Sequence, residues 1–393
     1  MTLKSVACIE DLRRIAHRKV PREFMDYYES GSYSEETLRC NCSDLGKIKI
    51  RQRVLAGAAN RDLSQTLLGN KNPLPLVLAP IGMTGMAHRD GEIAAARAAE
   101  KAGIPYTLST LSICSIEDVA AAVKKPFWFQ LYFMKDRGFI ADLIARARAA
   151  NCSALVLTAD LQVLGQRHRD IHNGLTVPPR IGLSTIAHIA SKPGWIAGVL
   201  LGKRKSFGNV SGRIAGTEDL RSYMAWINTQ FDQALSWDDV GWIRQQWPGK
   251  LIIKGILDAD DAREAVKAGA NAIVVSNHGG RQLDGAASAI SMLPRIADAV
   301  GSDTEVLFDS GIRSGQDVFR ALALGARACL SGRALVYGLG AGGEPGARRA
   351  MNLLVEELRL AMTLAGCRSV RELDRSWVTS IPDAERSAAW STG

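Results

Sequence analysis

Eight short apolar runs rich in β-branched residues, most followed by an amphipathic stretch, constrain this chain more than any other feature. They are PLVLAPIG (75–82), PYTLST (105–110), FWFQLY (127–132), ALVLTAD (154–160), LIIKGI (251–256), AIVVSN (272–277), EVLFDSG (305–311) and ACLSGR (328–333). Each is near the length of a strand buried on both faces, and the stretches between them carry helical periodicity. DGEIAAARAAEKAG (90–103) and DADDAREAVKAGA (258–270) start acidic and close on Gly, as helix dipoles and C-caps favour. Eight strand-then-helix units predict an α/β fold, a closed (β/α)8 TIM barrel, more directly than an open doubly wound sheet. Two separate α/β domains are the alternative at 393 residues, and they would need a linker.

The spacing is regular except in one place. The fourth and fifth runs stand about 90 residues apart, which predicts a long insertion over 161–235 on the C-terminal face, where barrels carry their active sites. The organisation expected is therefore a single domain over 1–393. It has a helical N-terminal extension at 1–74, the barrel at 75–375 and the insertion inside it.

Net charge is +9, from 49 Lys plus Arg against 40 Asp plus Glu, and points to an anionic partner: nucleic acid, membrane or phosphate. Much of the excess is local. Between Leu161 and Gly216 stand Arg167, Arg169, Arg180, Lys192, Lys203, Arg204, Lys205 and Arg213 against Asp170 alone. Ile181, Leu183, Ile186, Ile189, Trp195, Ile196, Val199, Leu200 and Leu201 share the segment. A basic and apolar composition fits an interfacial membrane anchor, and equally a basic loop folded over the barrel. The longest apolar run there, WIAGVLL (195–201), is far short of the roughly 20 residues that span a bilayer. The first 25 residues carry charges throughout, with no continuous apolar core of a secretory signal. The cysteines, 8, 40, 42, 114, 152, 329 and 367, are odd in number and lack paired CxxC spacing, so they read as reduced cytosolic thiols with no zinc site.

Three fragments at strand ends carry chemistry. SNHGGRQLDG (276–285) places a base, His278, and a fixed cation, Arg281, beside glycines that let backbone approach a ligand. FDSGIRSG (308–315) and LSGRALVYG (330–338) follow the seventh and eighth strands, where barrels commonly bind phosphate through backbone N–H groups and a helix N-terminus; Gly311, Arg313, Gly332 and Arg333 suit that chemistry. GLGAGG (338–343) satisfies GxGxxG, but no βαβ unit follows it, so it reads as a loop. Asp160 ends strand four and can orient a histidine, Arg167 can reach a carboxylate, and Lys254, inside an apolar strand, needs an anionic or electron-rich partner.

These residues resemble the FMN-dependent L-2-hydroxy acid dehydrogenase/oxidase family over nearly the whole chain. SNHGGRQLDG is the most specific motif, and FMDYY, LAPIGMTGM, FWFQLY, LVLTAD, LIIKGI, DSGIR and SGRA occur in family order. The match is nearer to membrane-bound bacterial lactate and mandelate dehydrogenases than to plant glycolate oxidase. The resemblance implies FMN across the barrel mouth, His278 as active-site base and Asp160 as its hydrogen-bonded carboxylate. It implies Arg281 and Arg167 on the substrate carboxylate, Tyr27 and Tyr132 against the substrate, and Lys254 beside the flavin N1 and C2 carbonyl. Phosphate binding falls on Asp309, Ser310, Gly311, Ile312 and Arg313 with Gly332 and Arg333, and ring contacts on Pro80, Ile81, Gly82, Ser109, Gln130, Thr158 and Ser276.

Two departures from the glycolate oxidase pattern bear on the acceptor. Ile81 and Gly82 replace Thr and Ala, leaving room near the flavin, and Leu111 replaces a pocket aromatic, giving an apolar wall with Leu164. The resemblance then implies a dehydrogenase that passes electrons to membrane quinone or another respiratory acceptor, rather than an oxygen-using oxidase. The favoured substrate is L-lactate, with (S)-mandelate, which would give phenylglyoxylate, as alternative. The membrane-bound relatives carry their anchor at this insertion, so 176–215 is expected to bind an anionic membrane surface. Most of the local positive charge except Arg167 would face lipid. A peripheral protein on the cytoplasmic side of the bacterial inner membrane, assembled as a tetramer, is the expected form. The rival readings are a non-catalytic binder of nucleic acid or anionic lipid and an unrelated phosphate-binding barrel; with the charge divided between the insertion and the interior cations, no residues are left to argue for nucleic acid, and no nucleic-acid partner is expected.

Overall fold

A computed structural model describes residues 2–57, 60–174, 182–210, 226 and 229–379. All eight apolar runs are strands: β1 (Leu76–Leu78), β2 (Thr107–Ser109), β3 (Trp128–Tyr132), β4 (Ala154–Thr158), β5 (Lys250–Ile256), β6 (Ala272–Val275), β7 (Glu305–Phe308) and β8 (Ala328–Ser331). Each pairs in parallel with the next, β8 pairs with β1, and a bridge from Leu78 to Tyr106 closes the ring. The fold is the expected (β/α)8 barrel.

Alternation along the strands sorts the core in two. Val77, Trp128, Val156, Ile252, Val274, Leu307 and Leu330 point inward and form one buried cluster. Their neighbours, such as Leu78, Phe129, Leu157, Ile253, Val275 and Phe308, belong to a second cluster that packs on the outer helices. A hairpin, Gln65–Leu67 with Asn70–Asn72, adds Leu67 and Leu68 to the inner cluster, and the Glu305 carboxylate accepts from Leu68 N at 2.9 Å. Since Glu305 begins β7, this hairpin plugs the N-terminal end of the barrel.

The predicted helices form where caps allow. One spans Gly91–Ala102 and ends at Gly103 in the left-handed conformation (φ 71°); another spans Ala259–Lys267, with the Asp258 side chain accepting from Asp260 N. The N-terminal extension supplies α1 (Ile9–Lys19), α2 (Arg22–Glu29) and α3 (Glu36–Lys47).

GLGAGG is not the loop expected from its glycines. It lies in a helix, Arg333–Ala365, that bends at Gly342 and Gly343 (φ 59°, ψ −138°). The chain folds back so tightly there that a Cβ on Gly338 would lie 2.5 Å from Gly346 O, so the glycines serve close backbone packing.

The insertion also differs from expectation. Among its described residues, Trp195 and Val199 are buried while Leu183, Ile186, Leu200 and Leu201 are exposed. Several of its cations do not face outward unpaired: Arg204 bonds Asp90 and Asp118 at 2.7 Å each, Arg169 pairs with Glu35, and Lys192 donates to Arg18 O. Pairing with carboxylates of the barrel and the N-terminal extension, or with a main-chain carbonyl, accounts for part of the charge expected to face lipid. Residues 176–181 and 211–215 of the expected anchor, with Arg180 and Arg213, lie outside the described residues. No described helix is long and apolar enough to cross a membrane.

Candidate active site

The inward alternation that builds the core also builds the site. Two residues beyond the apolar layer stand Gln130 after Trp128, Thr158 after Val156, Lys254 after Ile252, Ser276 after Val274 and Asp309 after Leu307. Polar groups therefore crown an apolar plug at the C-terminal mouth, where Gln130, Thr158, Lys254 and Asp309 line a cavity. Gln130 Nε2 donates to Thr158 Oγ1 at 3.0 Å, and Lys254 Nζ lies 2.8 Å from Ser276 Oγ and 3.2 Å from Asp309 Oδ2.

His278 reaches this cavity because the loop after β6 turns through left-handed backbone at His278, Gly279 and Gly280. Its Nδ1 lies 2.9 Å from Asp160 Oδ1, and its main-chain N–H donates to Ser276 Oγ at 3.0 Å. Burial raises the Asp160 carboxyl pKa, but the charges of His278 and Lys254 outweigh this and hold it below its ordinary value. Burial lowers the His278 pKa despite the opposing field of Asp160. An ionised Asp160 accepts the Nδ1 proton, which leaves Nε2 of a neutral ring as the acceptor on a cavity-lining side chain. Gly255 gives Asp160 its room: a Cβ there would lie 2.6 Å from the Asp160 Cγ.

Arg167, Arg281, Tyr27 and Tyr132 line the same cavity with Leu111 and Leu164. The Arg281 and Arg167 guanidinium carbons stand 4.9 and 5.5 Å from the Tyr27 ring centroid. Arg281 donates to Tyr27 O and Ser30 O at 2.5 and 2.9 Å, while Arg333 donates to Tyr28 O and Gly279 O at 2.8 and 2.9 Å. Both arginines thus satisfy carbonyls at the C-terminal end of α2 and hold its tyrosines over the mouth. At Gly82 an added Cβ would stand 3.1 Å from the Tyr27 hydroxyl and 3.3 Å from Leu111 O.

The opposite lobe is lined by Pro80, Ile81, Ser310, Gly311, Ile312, Arg313, Gly332 and Arg333. Ser310 Oγ donates to Asp309 Oδ1 at 2.7 Å and accepts from Gly279 N at 3.0 Å, tying the loops after β6 and β7 together. Burial brings the Arg333 pKa down to about 9, helped by Arg313 and Arg281, and burial with Arg167 brings Arg281 down to about 10. Clustered, half-buried guanidiniums that repel one another favour an anion between them. Beside them the helix Arg333–Ala365 begins at Gly332 with no side-chain cap, so its first N–H groups are open to the same anion. A phosphate-bearing flavin fits this donor set.

Two expected ring contacts stand behind the wall instead of on it. Ser109 is buried with its hydroxyl on Gln130 Oε1 at 3.1 Å, and Ser276 is buried under Lys254, because each hydroxyl turns to the polar chain beside it. Sequence reading missed Tyr28, Ala79, Leu161, Gly279, Gln282, Leu330 and Val336 on the wall. Gln282 carried a usable signal, directly after GGR: its Nε2 donates to Asp160 O and Val163 O at 2.8 Å, joining the loops after β4 and β6. Glu92 also went unread. Fully buried, its Oε1 accepts from Gly85 N at 3.0 Å and Ile113 N at 3.1 Å, binding the loop that carries Gly82 to the loop that carries Leu111.

Comparison with known proteins supplies the family context. A model of the FMN-dependent dehydrogenase family matches residues 16–380. An L-lactate dehydrogenase of Stenotrophomonas maltophilia (strain R551-3) is 47% identical over 378 residues, covering 96% of this chain and 100% of the relative. One from Yersinia pestis (strain Pestoides F) is 48% identical over 374 residues, covering 94% and 97%. Among solved structures, the monotopic membrane protein (S)-mandelate dehydrogenase superposes with a TM-score of 0.91 at 34% identity, over 96% of this chain and 100% of that one. A mandelate oxidase superposes with a TM-score of 0.81 at 38% identity, over 95% and 98%.

Proposed function

The chain belongs to the FMN-dependent dehydrogenase family, and we propose that it oxidises L-lactate to pyruvate, with His278 as the base. The observation that carries this reading is the Asp160–His278 pair at 2.9 Å, facing a cavity that also presents Arg167 and Arg281. Arg281 and Arg167 bind and orient the substrate carboxylate, since two guanidiniums match its charge and planarity. Tyr27 and Tyr132 flank it. Oxidation at the hydroxyl carbon removes two electrons and two protons: His278 accepts one proton at Nε2, and the other would leave with the two electrons to the acceptor. Asp160 then stabilises the imidazolium through Nδ1. When bound, FMN supplies the two-electron acceptor. Arg313, Arg333 and the helix start at Gly332 hold its phosphate, while Lys254 offers positive charge to its ring.

L-lactate is favoured because two bacterial L-lactate dehydrogenases share nearly half their residues with this chain over almost its whole length. The apolar Leu111 and Leu164 wall, and the likeness to (S)-mandelate dehydrogenase, keep (S)-mandelate as the second reading. Selectivity between them rests on a few kcal/mol of pocket contact. The exposed Leu183, Ile186, Leu200 and Leu201 support attachment to a membrane surface, from which electrons would pass to quinone. A tetramer on the cytoplasmic side of the inner membrane belongs to the same reading.

The test is turnover of the FMN-loaded enzyme with L-lactate and a ubiquinone analogue, beside oxygen uptake. Quinone-coupled pyruvate formation with little oxygen uptake is expected. Brisk peroxide formation would make it an oxidase, and no pyruvate with either acceptor would remove the lactate assignment.

A further inference from the structure

A second cavity of about 530 Å3 lies away from the site, where the end of α1, the loop at Ala87–Arg89, the bend of the helix Arg333–Ala365 and the insertion meet. Its lining carries Arg18, Lys19, Arg89 and Lys192, together with His88, and no carboxylate among the described residues. Elsewhere in the protein arginines close on acids, as Arg13 does on Glu29, Arg146 on Glu117 and Arg204 on Asp90 and Asp118. Arg18 and Arg89 are exposed, and although their main-chain carbonyls meet His88 and Lys192, their guanidiniums have no hydrogen-bond or ion-pair partner among the described residues. Two free guanidiniums lining one cavity with Lys19 and Lys192, whose ammoniums donate to Ala341 O and Arg18 O, make a receptor for a phosphate.

The lining is not only cationic. Trp195 and Val199 contribute buried apolar surface, and the indole is fixed by donation to Met86 O at 2.7 Å and by stacking on Phe24 at 5.2 Å between centroids. Directly after Val199 the chain exposes Leu200 and Leu201. Cations above and apolar surface continuing outward match an amphiphile with an anionic head better than a small soluble anion, which would leave that surface wet. We propose that this cavity binds the phosphate headgroup of an anionic phospholipid, with Arg18 and Arg89 as its ligands and the acyl chains running along Leu200 and Leu201. The proposal rests on the membrane reading above and adds a defined lipid site to it.

The test is co-sedimentation of the FMN-loaded, full-length enzyme with phosphatidylcholine vesicles, with and without phosphatidylglycerol. Wild type is expected to bind the phosphatidylglycerol vesicles more tightly. The Arg18→Glu, Arg89→Glu double variant should lose about thirtyfold or more of that preference, the size expected for two basic side chains at an anionic surface. Flavin content and lactate turnover with a soluble dye should stay unchanged. A control, Lys250→Glu with Arg327→Glu, makes the same charge change at exposed positions at the N-terminal ends of β5 and β8 and should keep the preference. No binding of wild type to either vesicle would overturn both the membrane reading and this one. Wild-type binding shared equally by the double variant, or lost equally by the control, would overturn the lipid site alone. Release of wild type by inorganic phosphate at constant ionic strength would reassign the cavity to free phosphate.

Discussion

His278 Nδ1 stands 2.9 Å from Asp160 Oδ1, and the two side chains are delivered by different strands, β6 and β4, into one cavity. Because burial lowers the His278 pKa from its ordinary 6.5, the ring stays neutral and able to accept a proton at physiological pH. The rate of flavin reduction should therefore fall only as pH drops below 6.5, through the depressed value. His278→Gln should keep its flavin and lose roughly 10²- to 10⁴-fold in that rate. Asp160→Asn removes the charge that raises the His278 pKa, so its acid limb should move to lower pH while the plateau drops. Rapid-mixing kinetics across pH check both. The same shift has a sign for folding: the unfolded chain binds more protons below 6.5, so stability is lost as pH falls from there through the folded value.

Gly255→Ala should disturb that pair without touching it chemically. The position has φ of 106°, and the new methyl would lie 2.6 Å from the Asp160 Cγ. A loss of about 1–3 kcal/mol is expected for forcing a side chain there. Thermal unfolding should show the lowered stability, and the pH profile should shift toward that of Asp160→Asn. A variant with wild-type stability and profile would show that the strand adapts.

Glu92 should act as a positioning residue for selectivity. Its Oε1 joins Gly85 N to Ile113 N, and Met83 N donates to Leu111 O at 2.8 Å, so the gap between Gly82 and Leu111 depends on this seam. In Glu92→Gln the ratio of kcat/KM for L-lactate over (S)-mandelate should change by about three- to tenfold, the worth of one altered hydrogen bond. Flavin content should not change. A fall in kcat with both acids at an unaltered ratio would mark Glu92 as structural only.

The barrel was legible because two-sided burial forces continuous β-branched runs, and the site was legible because alternation then places Lys254 two residues above Ile252. The glycines of 338–343 misled, since a short motif cannot show that Gly338 meets Gly346 across a bend. The cations of the insertion misled for a related reason: Arg204 closes on Asp90 and Asp118, more than 80 residues away in the chain, and composition carries no information on such pairing. Glu92 was hidden inside a stretch that reads as an ordinary acidic helix start.

The phosphate lobe makes a thermodynamic prediction. Arg333 is half-buried, with its pKa brought down to about 9 by desolvation and by Arg313, so filling the lobe with an anion should relieve it. Flavin-free protein should gain far more thermal stability from FMN than from riboflavin, which lacks the phosphate; saturation at a hundred times Kd corresponds to about 2.7 kcal/mol. Arg313→Gln should shrink the difference. Equal stabilisation by the two flavins would move the phosphate elsewhere.

The most direct measurement is anaerobic mixing of the FMN-loaded enzyme with L-lactate, and separately with (S)-mandelate, while following the flavin absorbance. Rapid bleaching by L-lactate, slower bleaching by (S)-mandelate, and loss of both in His278→Gln are the predicted results. Bleaching by L-lactate that survives in His278→Gln at the wild-type rate, or no bleaching by either acid in the wild type, would contradict the account.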